Sequence, residues 1–411
     1  MTSVLSLYVT KFRVFYMIFT PFLFSISLAY LMFTFYFFNL KQIGGSDYKA
    51  YVIGAKIILS GDRRDLYDIE TQTKYQVEVF KDTQIILPFK VMPIIAILFS
   101  PFTLLSVNSG YKVFFIINVI AAFICAILLG KLFKVKKTKA IYSSFIFLPM
   151  VLTIIFAQID IFLLILYLCV LFLLKKEKFF CAGLFSSFFF NKPHFVIFVI
   201  FIFLVSRKKK EFLLGIFSGL LAVFLFSISL VGLKGLLKYP DFILNSENPS
   251  YGADIAKMIS LSSVLYHLFK TKLSVLTIYF INFVLLGIYM IYFYSKSKNK
   301  KLEPLVSSSV LASVAFLPHC WYQNLTMILP AYLYVISRIE SPDTKNSKLL
   351  LYLIFILLSL IYYIGNRTSA LLVPIILLTI SVLLLNQESL DKLKFPKGLN
   401  FAKLKKVNII N

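Results

Sequence analysis

Long apolar runs separated by short basic or glycine- and proline-containing breaks set the rhythm of this chain. Runs approaching the ~20 residues that carry a helix across hydrocarbon lie at 14–38, 111–133, 212–231 and 273–294. Shorter runs lie at 302–317, 325–336, 349–364 and 369–385, and a run at 89–106 is interrupted by Pro93 and Pro101. Two further runs, 140–174 and 179–206, begin and end beside lysines. Basic loops stay on the cytoplasmic side, so each of these two must go out and return. The first reads as two short helices turning at Gln158 and Asp160. The second reads as a hairpin with Asn191, Lys192, Pro193 and His194 at its tip. A membrane barrel would instead show short alternating segments. The pattern therefore predicts an all-α polytopic membrane protein, a bundle of about twelve transmembrane helices.

Composition agrees: 59% of the 411 residues are hydrophobic and 15% charged, and the mean hydropathy is +0.86, which excludes an ordinary soluble domain. The formal charge of +25 raises the question of a nucleic-acid partner. The basic residues, however, gather between apolar runs: Lys134, Lys136, Lys137 and Lys139; Lys175, Lys176 and Lys178; Arg207 to Lys210; and further clusters at 296–301, 338–348 and 392–406. That distribution describes topology, with no nucleic acid implied. It puts both termini in the cytoplasm, loops 39–88 and 232–271 outside a plasma membrane, and a basic tail over 386–411, all within one integral membrane domain, 1–411. Parity allows one net crossing between the first loop and Lys134, so 89–106 is expected to re-enter or lie in the interface. Lys11 and Arg13 precede an apolar run, but that run is long for a signal peptide and lacks a small-residue cleavage site, so it is kept as the first membrane helix. Cys125, Cys169, Cys181 and Cys320 show no pairing or metal spacing and read as buried thiols.

Against this background the polar interruptions stand out. Ser46 is a good helix N-cap, and Tyr48, Tyr51 and Ala55 recur at helical spacing after it, so Asp47 is expected in a first helical turn, where backbone N–H groups favour its ionised form. Gln158 and Asp160, Lys192, and the turn His319-Cys320-Trp321-Tyr322-Gln323-Asn324 are the other interruptions. The topology places all of them, with Asp47, on the outer side.

In order along the chain these residues resemble a known pattern. Asp47-Tyr48-Lys49-Ala50-Tyr51 is followed by Gly61 and Leu66-Tyr67-Asp68, then by Leu87-Pro88-Phe89, Pro93 and Pro101-Phe102. Ala157-Gln158-Ile159-Asp160, Ala182-Gly183, Lys192-Pro193, and the stretch from Leu317 through Asn324 to Pro330 complete it. The chain resembles the GT-C glycosyltransferases, most closely glycosyltransferase family 87, whose members use polyprenol-phosphate-mannose. It departs from the family pattern in Ala157 for a glycine, Asp160 for an asparagine, and Gln323 and Asn324 for a histidine pair.

The resemblance implies an inverting transfer of a hexose, mannose in the family, from a polyprenyl-phosphate donor to a lipid or glycan acceptor at the outer face, with no cofactor. Such chemistry needs a carboxylate to deprotonate the acceptor hydroxyl and cations or donors for the leaving phosphate. Asp47 is the candidate base, and Lys192 and His319 the candidate phosphate contacts. Tyr48, Tyr51, Gln158, Asp160, Trp321, Tyr322, Gln323 and Asn324 are the candidate substrate contacts. Plainer readings stand beside these: Asp47 as a helix cap, Lys192 reaching an interface, Gln158 and Asp160 satisfying a turn, Trp321 and Tyr322 as interfacial anchors. A carrier for a lipid-linked sugar, or a non-catalytic subunit, would also show outward polar groups. No metal site is assigned, although Asp65 and Asp68 leave a divalent ion open. The Asn366-Arg367-Thr368 sequon is common by chance.

Overall fold

The computed structural model describes residues 2–39, 46–81, 86–247, 249–269, 272–298, 300–339, 353–355, 357–358 and 366–386. Gly44, Gly45, the basic cluster at 340–348 and the tail beyond residue 386 lie outside the described residues. Among the described residues no strand occurs. The helices in chain order are α1 (Thr2–Phe37), α2 (Tyr48–Leu59), α3 (Ile69–Phe80), α4 (Pro93–Phe99), α5 (Val107–Phe133), α6 (Lys137–Ile146), α7 (Leu148–Ile155), α8 (Asp160–Lys175), α9 (Phe179–Ser186), α10 (Val196–Val205), α11 (Lys209–Leu237), α12 (Tyr239–Ser246), α13 (Leu261–Phe269), α14 (Val275–Ser297), α15 (Leu302–Phe316), α16 (Leu329–Ile339) and α17 (Asn366–Leu385).

Among the described residues, four helices are long and apolar enough to cross a membrane: α1 over Thr20–Phe37, α5, α11 and α14. The bent pair α6–α7 makes a fifth if it is one span. These helices turn apolar side chains outward, Phe217 at 66% exposure and Ile291 at 74%, as a lipid-facing surface would. The chain thus forms a helical membrane protein, and the count of about twelve is not reached by these spans. The remaining runs break into shorter pieces for identifiable reasons. Residues 89–106 yield α4 and a 3₁₀ turn, Ser100–Leu104, started by Pro93 and Pro101 and too short to cross. Residues 140–174 yield three helices where two are expected, because Phe147 is extended and Pro149 opens a new helix, bending α6 from α7 by 69°. Loop 232–271 is largely helical: α11 continues through a kink at Gly232, whose φ of +75° suits glycine, into α12 and α13.

The core is set by α15, buried from Pro304 to Phe316, and by α8. Serines on α15 join it to its neighbours: Ser308 Oγ lies 2.7 Å from Ser381 Oγ on α17, and Tyr289 of α14 reaches the same pair. Helix α9 crosses α11 at backbone contact, since a Cβ at Gly183 would collide with the Phe212 carbonyl and one at Gly215 with the Phe180 carbonyl. This crossing holds the α9–α10 hairpin, whose tip carries Lys192. At the opposite end of the bundle, Lys175 pairs with Glu303 at 2.7 Å and Arg207 with Glu177 at 3.8 Å. The basic clusters of α8, α10–α11 and α15 therefore share one end, and the tip of the hairpin points to the other.

Candidate active site

Each functional side chain at that other end sits on a helix terminus or a turn. The 69° bend before α7 and the break after it return the chain so that Gln158 and Asp160 start α8. Ala157, at this break, has φ +50°, a left-handed conformation that costs a residue with a Cβ but suits the glycine of the pattern noted above. Asp160 occupies the first turn of α8 and Lys175 the last, the polarity the helix dipole favours. Asp160 is fully buried, and both its oxygens are engaged: Lys192 Nζ donates to Oδ1 at 2.5 Å and Asn324 Nδ2 to Oδ2 at 2.5 Å. Lys192 also lies over the Phe195 ring, 5.0 Å from its centroid. Asn324 in turn accepts the Trp321 N–H at 2.6 Å, which fixes the 319–324 turn.

Trp321 Nε1 donates to His319 Nε2 at 3.1 Å. An indole N–H can only donate, so His319 Nε2 is an acceptor, and its Nδ1 carries the proton directed at Glu247 Oε2, 3.1 Å away. Glu247 follows α12, and its other oxygen, Oε1, accepts from Lys90 Nζ at 3.0 Å. Burial works to protonate Glu247, but the His319 bond and the neighbouring positive charge prevail and hold its carboxyl far below the usual range. His194 packs against His319, ring centroids 5.6 Å apart. Among the described residues its buried Nε2 finds no hydrogen-bond partner.

Lys90 and Glu247 are not among the residues that the sequence pattern singles out. Lys90 rides on an extended strap, 86–92, whose backbone is tied down from several sides. Phe89 N donates to Gln72 Oε1 at 2.7 Å and Leu87 N to Gln76 Oε1 at 3.0 Å. The Tyr67 hydroxyl donates to the Val91 carbonyl at 2.8 Å, and Met92 N to the Asn191 carbonyl at 3.1 Å. The strap thus links α3 to the Lys192 hairpin. A lone lysine between Pro88 and Pro93 in an apolar stretch is the signal the sequence offers.

Asp47 is the N-cap of α2, with no side-chain capping bond. Ser46 caps as expected, accepting from Tyr48 N at 3.3 Å, and it also donates to the Phe156 carbonyl at 3.0 Å, which pins the start of α2 to the α7–α8 turn. The expectation that Asp47 favours its ionised form is corrected. Burial raises its pKa, with Lys192 opposing and Asp160 adding to the rise. A helix terminus offers less than about 1 kcal/mol at an exposed site, and packing around the carboxyl outweighs it. The Gln158 side chain lies near the Asp47 carboxyl and opposes the rise, and the Tyr51 hydroxyl donates to its Oδ2 at 3.4 Å.

Asp47, Tyr51, Gln158, Asp160, Lys192, His319, Trp321 and Asn324 are thus brought together. Tyr48 is not: it is buried among Phe99, Phe102, Tyr111 and Phe114. Tyr322 is buried, and Gln323 meets Thr153 through its carbonyl at 2.9 Å. Asp65 pairs with Lys238 and Asp68 caps α3 through Thr71 N at 2.8 Å. Among the described residues no group of three or more His, Cys, Asp or Glu side chains could hold a metal ion. His267 lies 2.9 Å from the Ala256 carbonyl, away from the site.

The family model described as Glycosyltransferase family 87 matches residues 92–318, more than half of the chain. The chain belongs to glycosyltransferase family 87. It is a membrane glycosyltransferase by family and by its apolar helices. The family 87 match includes Gln158, Asp160, Lys192 and Glu247 and ends just before His319, so Asp47 and the 319–324 turn are tied to it by geometry. No curated protein and no solved structure matches the chain.

Proposed function

We propose that this family 87 enzyme transfers a hexose, mannose as first choice, from a polyprenyl phosphate to a lipid or glycan acceptor at the outer membrane face, in a bundle of about twelve crossings. The observation carrying this reading is that Asp47 lies within electrostatic reach of Lys192 and His319 at the end opposite the basic clusters. Asp47 keeps some exposure, which an acceptor hydroxyl needs, while burial of its carboxyl lifts its proton affinity toward the range of an effective general base.

In the proposed step the acceptor oxygen bonds to the anomeric carbon from the face opposite the phosphate as Asp47 takes the hydroxyl proton. The bond from the anomeric carbon to the phosphate oxygen breaks, and the electron pair leaves with polyprenyl phosphate, inverting the centre. Lys192 lends positive charge and His319 the Nδ1–H to the departing phosphate. Asp160 and Asn324 hold Lys192 and the 319–324 turn in place. Tyr51 and Gln158 orient Asp47, and Trp321 faces the sugar.

The test supplies purified enzyme with labelled polyprenyl-phosphate sugars and a membrane lipid extract. Transfer by wild type, lost in Asp47→Ala, is the expected result. Transfer that survives this substitution removes Asp47 as base, and no transfer with any donor replaces the catalytic reading by a carrier.

A further inference from the structure

The polyprenyl-phosphate reading requires the site to receive an anion, yet both lysines at the site already hold carboxylates. Lys192 is paired with Asp160, and Lys90 with Glu247. With His319 Nε2 accepting from Trp321, its Nδ1–H is the donor that the ring offers to an incoming oxygen. An arriving phosphate therefore makes a direct ion pair with a lysine only by replacing one carboxylate, Lys192 otherwise acting on it through its field.

The two carboxylates differ in how replaceable they are. Asp160 has no exposed surface, both its oxygens are held by buried donors, and it is part of the start of α8. Removing it would strand a lysine and an asparagine. The Glu247 side chain, by contrast, keeps 19% exposure, as does that of Lys90. Its oxygens are held separately, Oε1 by Lys90 and Oε2 by His319. Two donors of different residues converging on the two oxygens of one carboxylate is also the arrangement that two oxygens of a phosphate would accept. Lys90 does not depend on Glu247 for its position. Its Nζ also donates to the Ser246 carbonyl at 2.6 Å, and its own carbonyl accepts from the Tyr239 hydroxyl at 3.0 Å. Helix α12 is held in turn, with Tyr239 and Phe242 packed on Tyr67. A rotation of the Glu247 side chain alone would open the pair.

We infer that Lys90 and His319 form the seat of the lipid phosphate and that Glu247 is its exchangeable occupant in the substrate-free enzyme, turned out when the phosphate arrives. This rests on the polyprenyl-phosphate reading and adds to it a phosphate-binding residue, Lys90, and a carboxylate that competes with the substrate. Competition of this kind favours release of the product, since Glu247 returns to Lys90 and His319 as polyprenyl phosphate leaves.

The chain's single tryptophan is Trp321, hydrogen-bonded to His319, so its fluorescence reports on this seat directly. Full-length enzyme in lipid nanodiscs is titrated with a short polyprenyl phosphate, and with the matching polyprenol as the phosphate-free control. Glu247→Gln is expected to tighten phosphate binding several-fold, Lys90→Gln to weaken it about ten-fold or more, and neither to change the response to polyprenol. Glu247→Asp keeps the charge but shortens the reach. Tightening there supports exchange, whereas wild-type affinity means that Glu247 acts only through its field and overturns the proposal. Weaker or unchanged binding in Glu247→Gln also overturns it, because Glu247 then positions Lys90 and His319 or does nothing. Should Lys90→Gln unseat α12, Lys90→Arg with retained binding and the Glu247 pair of variants still decide. The sugar-transfer assay is read separately. Normal transfer without the Glu247 dependence sinks this inference alone, and the dependence without transfer from any donor sinks only the catalytic reading.

Discussion

Replacing Lys192 by Met should be the most destabilising single change at the site. It would leave Asp160, which has no exposed surface, with Asn324 as its remaining side-chain partner in place of a pair held at 2.5 Å on each oxygen. Removing one member of a buried pair costs about 3–5 kcal/mol, because the other charge stays desolvated and uncompensated. Methionine fills much of the lysine's volume, so little of that loss is a cavity. Asp160→Asn strands the opposite charge. Its cost should be somewhat smaller, since the lysine side chain keeps 9% exposure and the Phe195 ring beneath it. In Asp160→Asn/Lys192→Met no charge remains, and the introduced amide would still meet that of Asn324. The double variant should therefore be more stable than Lys192→Met, with a coupling of about 2 kcal/mol or more. Reversible unfolding in mixed micelles measures all four proteins. Two single changes that each cost less than about 1 kcal/mol and simply add would refute the reasoning, because the pair would then be behaving as a solvated one.

Four other outcomes follow from the same geometry. Asp47→Asn should lower kcat by at least about a hundred-fold yet leave the protein no less stable at neutral pH. A carboxyl whose folded pKa is raised costs stability as pH rises above its unfolded value of 3.8, so melting curves of the two proteins should converge as pH falls below that value. The same shift moves the acid limb of the wild-type pH–rate profile above the ordinary carboxylate range, and a limb near 3.8 would contradict it. Ala157→Gly should stabilise by up to about 1 kcal/mol, since φ +50° strains a residue with a Cβ; lower stability in the same unfolding assay would count against that backbone conformation. Gly183→Val places two methyl groups against the Phe212 carbonyl. It should cost about 3 kcal/mol or more and reduce transfer by displacing Lys192, which unaltered kcat and unfolding would exclude.

The helical class and most of the site are legible because polar residues are scarce in an apolar chain. Gln158 and Asp160, the 191–194 tip and the 319–324 turn each announce a break, and each lies at one. The way they are satisfied is not legible. Lys90 and Glu247 are 157 positions apart, beyond any helical spacing, and only the strap tied to Gln72 and Gln76 brings them together. The number of helices in 140–174 is obscured because Pro149 sits inside a continuous apolar run and changes the direction of the chain without interrupting its hydropathy. The raised proton affinity of Asp47 is hidden for a different reason: its helix terminus is visible in the chain order, whereas the α7–α8 turn that packs against it is not.

Helix α8 has 16 residues, so at 1.5 Å each it is about 24 Å long, some 6 Å short of the ~30 Å hydrocarbon layer. In the proposed topology, with Lys175 at one headgroup layer, α8 would end about 6 Å inside the opposite edge of the hydrocarbon. On that reading both the phosphate of a lipid donor and the acceptor hydroxyl would have to dip inward to reach Asp160, which would favour lipid-carried substrates over free sugars in solution. Quenching of Trp321 by brominated lipids gives its immersion directly, and a tryptophan untouched by bromines near the headgroup would place the reaction above the membrane instead.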